Sequence, residues 1–343
     1  MTKRTRYFMA GGAAVMVAAV GTGLVAYYEG GFPSVLASRQ APSELNYVPA
    51  DAAIVAYANV RQIMDSDTRQ RLKQAMPPQS GQQEFQQETG IDIERDINYV
   101  VAAVTDTAST NPGGLVIARG SFNTGQLEAL VTSHGGVAEQ YKNKRLVTVS
   151  EQHIADPDVQ QMMKHPGHHA ITLAVLEPGL IAIGPEQTIK SAIDAEMSAQ
   201  SITSNAQMMQ LVSDIEGGNN AWAVGRLDAI NQSEIPAQVR AHLPPVKTFA
   251  VMAHIDGGIT GTLRADANDD QSAENLRQIV NGFLAFGRLQ AQNDPRAAAL
   301  MQTLQLSGSG KTVALSFMVP AEMLNMLPKH IKMNGTDEGQ PRR

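Results

Sequence analysis

The chain has 343 residues, 43% of them hydrophobic and 17% charged, a balance that supplies a packed core and excludes global disorder. Its net charge of -6 argues against nucleic acid as a partner, because that affinity rests on clustered Lys and Arg meeting phosphates. There is no cysteine, so disulfides, thiolate catalysis and Cys-ligated zinc or iron–sulfur sites are excluded, while the compartment is left unassigned.

Residues 1–6 form a basic tail, and Tyr7 to Tyr28 then runs without a charged residue. At 1.5 Å per residue a helix of that length spans roughly 33 Å, enough to cross a hydrocarbon core of about 30 Å. Lys3, Arg4 and Arg6 precede the run and Glu29 follows it. This asymmetry predicts a single-pass protein of a bacterial inner membrane, with its N-terminus in the cytoplasm and its body in the periplasm. Tyr7, Phe8, Tyr27 and Tyr28 bracket the span as interfacial aromatics. The competing reading is a cleaved signal peptide, with Val35 and Ala37 before Ser38 as the cleavage site. The apolar run, however, exceeds the ~7–15 residues of a signal core, and the site lies far from its end. Ala10, Ala14, Ala18, Thr22 and Ala26 recur every fourth residue, a ridge of small side chains through which two spans would pack as a weak dimer. Residues 29–46, with Gly30, Gly31, Pro33 and Pro42, read as a linker.

A first α+β half is expected over residues 47–197. Ala53 to Ala58 is a compact apolar run and predicts a strand. Arg61 to Met76 has helical spacing and is stopped by Pro77-Pro78, and a short helix over 82–88 ends at Gly90. Asn98 to Thr105 and Leu115 to Arg119 read as strands across an Asn-Pro-Gly-Gly turn. Asn123 to Ser133 is a helix. Two hairpins follow, Val137 to Tyr141 with Arg145 to Ser150, and Ile171 to Leu176 with Leu180 to Gly184, before a helix over Glu186 to Met197. The polar, uneven stretch 198–204 reads as a linker.

A second half is expected over 205–329, with a flexible tail at 330–343. A helix over Asn205 to Ile215 stops at Gly217-Gly218. Ala221 to Leu227 is a strand, and Thr248 to Ile255 with Ile259 to Ala265 flank an Asp-Gly-Gly turn. A long helix starts at Asp269 and Asp270, acidic at its positive end, and carries Leu276, Ile279, Val280, Phe283 and Leu284 at helical spacing to about Gln292. Thr303 to Leu306 and Thr312 to Met318 flank a Ser-Gly-Ser-Gly turn, and Pro320 is placed to open a last helix. The opening Ala53 to Ile63 matches Asn220 to Ile230 in pattern. The order strand–helix, hairpin, helix, hairpin also recurs, which predicts a tandem duplication of an α+β unit with antiparallel sheets covered by helices.

The runs Tyr47-Val-Pro-Ala-Asp-Ala, Thr89-Gly-Ile-Asp-Ile-Glu-Arg-Asp-Ile97, Gly114-Leu-Val-Ile-Ala-Arg-Gly120 and Lys311-Thr-Val-Ala-Leu-Ser-Phe317 resemble those of a family of single-span, membrane-anchored bacterial envelope proteins with no assigned activity. The resemblance implies an exported protein and carries over no catalytic residue.

Motifs for chemistry are sparse. Ser307 to Thr312 imitates a phosphate-binding loop, but Gln305 stands where that motif needs Gly, and a strand rather than a helix follows the Lys. Asp92, Glu94 and Asp96 copy the opening of a calcium loop, yet Ile97 and Ala103 occupy the positions of its Gly and its last Glu. His153, His165, His168 and His169 share one stretch with Asp156 and Asp158 and are the candidate metal ligands, His165 and His168 being spaced to clamp one ion. Pro157, Pro166 and Gly167 mark that stretch as an exposed loop, where histidine is ordinarily solvated. Trp222, the sole tryptophan, sits in an apolar strand and reads as core. No cofactor is implied. The expectation is a non-enzymatic envelope protein, a binding or structural scaffold for a protein, lipid or glycan. The alternative is an exported hydrolase whose site has no sequence motif.

Overall fold

The computed structural model describes residues 42–75, 86, 87, 89–105, 113–133, 135–150, 170–215, 217–227 and 246–320. The basic tail, the expected span with its small-residue ridge, the His153–His169 loop and the C-terminal tail lie outside these residues. Among the described residues no helix is long and apolar enough to cross a membrane.

Alternating and apolar runs become twelve strands: β1 (Ala52–Ala58), β2 (Ile97–Thr105), β3 (Gly114–Gly120), β4 (Val137–Tyr141), β5 (Lys144–Ser150), β6 (Ala170–Glu177), β7 (Leu180–Gly184), β8 (Ala221–Arg226), β9 (Val246–Ile255), β10 (Gly258–Ala267), β11 (Gln305–Ser307) and β12 (Thr312–Pro320). They form one antiparallel sheet in the order β11-β12-β10-β9-β8-β1-β2-β3-β7-β6-β5-β4. The sequence pattern predicted two halves with sheets of their own. Instead β1 and β8 pair antiparallel at the centre, Ile54 opposite Gly225 through Ala58 opposite Ala221. Each of these strands opens its half, and each would otherwise present a row of unpaired N–H and C=O groups. Pairing them removes both edges at once.

The eight described helices are α1 (Val60–Met64), α2 (Asp67–Ala75), α3 (Ile93–Asp96), α4 (Thr124–Ser133), α5 (Glu186–Ser198), α6 (Ala206–Ser213), α7 (Asp270–Gln290) and α8 (Pro295–Thr303). Because side chains alternate along a strand, the sheet has two distinct faces. The first carries Val55, Val101, Ala103, Leu115, Ile117, Leu146, Ala174, Leu180, Ala182 and Val224. It is packed by Ile189, Ala192 and Ile193 of α5 and by Met208 and Leu211 of α6. On the second face, Ala118, Leu173 and Ile181 pack under Leu127 of α4. Ala267 and Val313 pack under Ala273 and Leu276 of α7.

Local signals place most elements where the sequence put them. Lys142 and Asn143 both take positive φ, 44° and 66°, the two-residue turn whose twist matches that of its hairpin. Asn123 accepts from the Gln126 amide at 3.1 Å, and Asp269 from that of Ser272 at 2.7 Å, each capping its helix. Four departures have physical causes. The helix expected from Arg61 breaks into α1 and α2, because the Ser66 hydroxyl competes for the backbone, accepting from the Arg69 amide at 2.9 Å. Pro320, expected at the first turn of a last helix, is instead the last residue of β12, opposite Gly258, where a residue without N–H is tolerated; the stretch expected to be that helix lies outside the described residues. The expected linker 198–204 is pinned to the core at Ser201 and Ile202, its other residues being exposed. Pro49 bridges Ser201, the Ile202 amide donates to the Val48 carbonyl at 2.7 Å, and Ile202 is buried. The helix α8, over Pro295–Thr303, was not anticipated. Asp294-Pro295 followed by an Ala-rich run is its N-terminal signature.

Candidate functional site

The densest polar arrangement lies where the chain enters the body. Ser43–Tyr47 forms a 3₁₀ turn against α5, beginning four residues before the body was expected to start. Leu45 and Val48 are fully buried, so this turn is part of the core. Between them the polar side chains reach the ends of β3 and β6. Glu44, 6% exposed at its side chain, is ion-paired with the Arg119 guanidinium. Arg119 also donates to Glu177 at 3.3 Å, and the Tyr47 hydroxyl donates to the same carboxylate at 2.9 Å. Arg119 keeps the alternation phase of Leu115 and Ile117, which brings its charge to the covered face of the sheet.

The electrostatics follow from this geometry. Burial, then the hydrogen bond to Glu177 and the negative potential of Glu177 and Glu196, hold the Tyr47 phenol well above its usual range. For Arg119, partial burial opposes the charge, but hydrogen bonds and attraction from Glu44 and Glu177 outweigh it and raise its proton affinity. Both groups keep their protons throughout the physiological range.

Beside the clasp is an open depression of about 250 Å³ lined by Asn46, Ala195, Glu196, Ala199, Ser201 and Thr203. Further along the same face, the Tyr57 ring stacks between Tyr99 at 6.0 Å and Trp222 at 5.7 Å, an aromatic row running across β2, β1 and β8. Trp222 is 9% exposed, as its place in an apolar strand required. A second polar cluster joins the β4–β5 turn to α5. Lys142 donates to Asp194 at 2.7 Å, and Lys190 pairs with Glu186 at 2.6 Å and with Glu139 at 2.9 Å. Lys190 also stands 5.4 Å from the centre of the Tyr141 ring.

The carboxylates that imitate a calcium loop are engaged by protein donors, two of them within their own turn. Asp92 caps α3 by accepting from the Glu94 amide at 3.0 Å and pairs with Arg95 at 2.7 Å. Glu94 pairs with Arg69 at 2.6 Å. The Ser-Gly-Ser-Gly-Lys stretch is the β11–β12 turn, where Gly308 and Gly310 take positive φ and Lys311 donates to the Asn268 carbonyl at 3.0 Å. Among the described residues no group of three His, Asp or Glu could hold a metal ion. The histidine candidates His153, His165, His168 and His169, like the topology residues Lys3, Arg4 and Arg6 and the ridge residues Ala10, Ala14, Ala18, Thr22 and Ala26, lie outside the described residues.

The clasp was not anticipated. Its signal was the charge of Arg119 on the inward phase of an apolar strand, which requires a buried partner. Nothing local names Glu44 and Glu177 as those partners. Compared with known proteins, the chain matches no family model, no curated protein and no solved structure.

Proposed function

We propose that this chain is a membrane-anchored extracytoplasmic scaffold of the cell envelope. The basic tail stays in the cytoplasm, residues 7–28 span the membrane, and the body presents surfaces to a partner without turning over a substrate. The carrying observation is the way the chain that follows the apolar run joins the body. Leu45 and Val48 are fully buried, and Glu44 and Tyr47 are locked to Arg119 and Glu177, so pull or torque on the tether is delivered into the sheet. A mount of this kind fixes the orientation of the surfaces that the body presents on its loops.

The same reading includes two related α+β halves arising by duplication. The pattern alignment of Ala53 to Ile63 with Asn220 to Ile230 makes Ala223 the equivalent of Ala56. These two residues face each other across the β1–β8 seam. A local two-fold through that pair would relate β1-β2-β3 to β8-β9-β10, both antiparallel meanders. The seam supports duplication in a way that sequence order alone did not.

Two experiments test the proposal. A reporter active only in the periplasm, fused after Arg343, is expected to be active, and activity solely from a cytoplasmic reporter overturns the topology. Purified protein is expected to be inert on esterase, phosphatase, peptidase and glycosidase panels. Reproducible turnover lost on one Ser, Asp, Glu or His substitution, with the fold intact, replaces the scaffold with the hydrolase.

A further inference from the structure

Helix α7 buries one line of side chains and uncovers another. Ala273 and Leu284 are 0% and 6% exposed and lie on one side of the helix, and Ala291, just past its end, is 4% exposed. At about 100° per residue, Ile279, Phe283, Phe286 and Leu289 fall on a strip centred roughly 140° round from that line. These four are 39%, 73%, 60% and 61% exposed. Asp270, Glu274, Arg277 and Arg288 fill the sector between. The strip therefore faces away from the sheet and runs for about 15 Å along the axis.

We infer that this strip rests on the surface of a lipid bilayer, the same one the proposed anchor crosses, and to that extent the inference depends on the anchor reading. Three observations favour a bilayer over another occupant. First, the strip is straight and outward-facing, with charge along one flank, as in a helix lying in a membrane interface. Second, its four side chains uncover on the order of 500 Å², while a stable protein complex covers about 800 Å² on each partner. A second copy would be held too weakly by this strip alone.

Third, the tether fits. Thirteen residues, 29 to 41, separate the apolar run from the first described residue and reach at most about 47 Å. The clasp lies on the face of the sheet opposite α7, so with α7 on the bilayer it stands about two packed layers higher, roughly 20 Å at ~10 Å per layer. The body can thus lie with α7 on the bilayer while the clasp is still within reach of the span. Tethering also raises the local concentration of bilayer, so a strip too small to bind lipid on its own is sufficient in place. The body is then held at two points, the clasp and α7, which fixes the face that it turns to the periplasm.

The absence of cysteine makes the test direct. A Cβ at Gly282, within the strip, meets no atom within 4 Å, and the same holds at Gly257 in the β9–β10 turn. Gly282→Cys and Gly257→Cys each accept an environment-sensitive fluorophore. The full chain is reconstituted in phosphatidylethanolamine–phosphatidylglycerol vesicles containing nitroxide-labelled lipid. Quenching at position 282 is expected to be roughly threefold stronger than at 257, and to fall to the level at 257 when Phe283→Ser and Phe286→Ser are added, circular dichroism being unchanged. Equal quenching at the two positions overturns the inference. So does a 282 probe that ignores lipid and becomes exposed when the chain is truncated after Pro320, which assigns the strip to residues 321–343. So does energy transfer between labelled chains without lipid quenching, which assigns it to a second copy. If the chain proves extractable as a soluble protein, the anchor reading fails and the inference, which needs the tethered bilayer, falls with it; equal quenching in an anchored chain overturns the inference alone.

Discussion

Replacing Arg119 with Met tests whether the clasp fastens the entering chain to the sheet. Met keeps most of the stem volume and deletes the charge, so the perturbation is electrostatic. Glu44 would be left with its carboxylate 6% exposed and no cation beside it. Removing one partner of a buried pair costs about 3–5 kcal/mol, because the survivor is a desolvated charge. Arg119 itself is 30% exposed, so water can follow into the vacated space, and the lower figure of about 2–3 kcal/mol is the one expected. Glu177 contributes little, being 42% exposed and still bonded to Tyr47. In urea, with a slope of about 2–3 kcal/mol/M, the unfolding midpoint of the protein in detergent should fall by about 1 M, followed by Trp222 fluorescence. Adding Glu44→Gln to Arg119→Met should recover about 1 kcal/mol or more, since the orphaned charge is then gone. A midpoint within about 0.2 M of the parent for Arg119→Met alone would mean that Glu44 is solvated, and the clasp would be no more than a surface ion pair.

Other expectations follow from the same contacts. Asp269 caps α7, and backbone and side-chain hydrogen bonds from Ser272 hold its carboxyl below the usual range. A depressed pKa adds stability above the unfolded value that is lost as pH falls through the folded one. Asp269→Ala should therefore lower the melting temperature near neutrality, and the gap from the parent should close below the usual carboxylate range; a gap independent of pH refutes the charge contribution. Gly225→Ala would put a Cβ 2.6 Å from the Phe249 ring and 3.0 Å from Ile54, and should cost about 1–3 kcal/mol in urea unfolding. Neutrality there means the ring moves freely off the glycine. Because β1 and β8 join both halves in one sheet, Trp222 fluorescence and far-ultraviolet circular dichroism should report one coincident transition. Two separated transitions would show that the seam does not couple the halves.

The sequence by itself determined what is local. Short apolar runs bounded by turn residues marked the strands. Lys142-Asn143, Asn123 and Asp269 specified turns and caps through the backbone angles and donors at those positions. The antiparallel hairpins and most helices were legible for that reason, as was the burial of Trp222. Tertiary structure alone decided which strand edges meet. An apolar strand such as Ala52–Ala58 has two edges with the same hydrogen-bonding groups, so nothing in its own residues names Ala221–Arg226 as a neighbour. The clasp was hidden for a related reason. Glu44 and Arg119 stand 75 positions apart, and Tyr47 and Glu177 stand 130 apart. A charge pattern read along the chain sees four ordinary polar residues there. Only folding, which covers Leu45 and Val48 and takes water away from Glu44, turns them into a site, since a charge needs a partner only once it has lost its solvent.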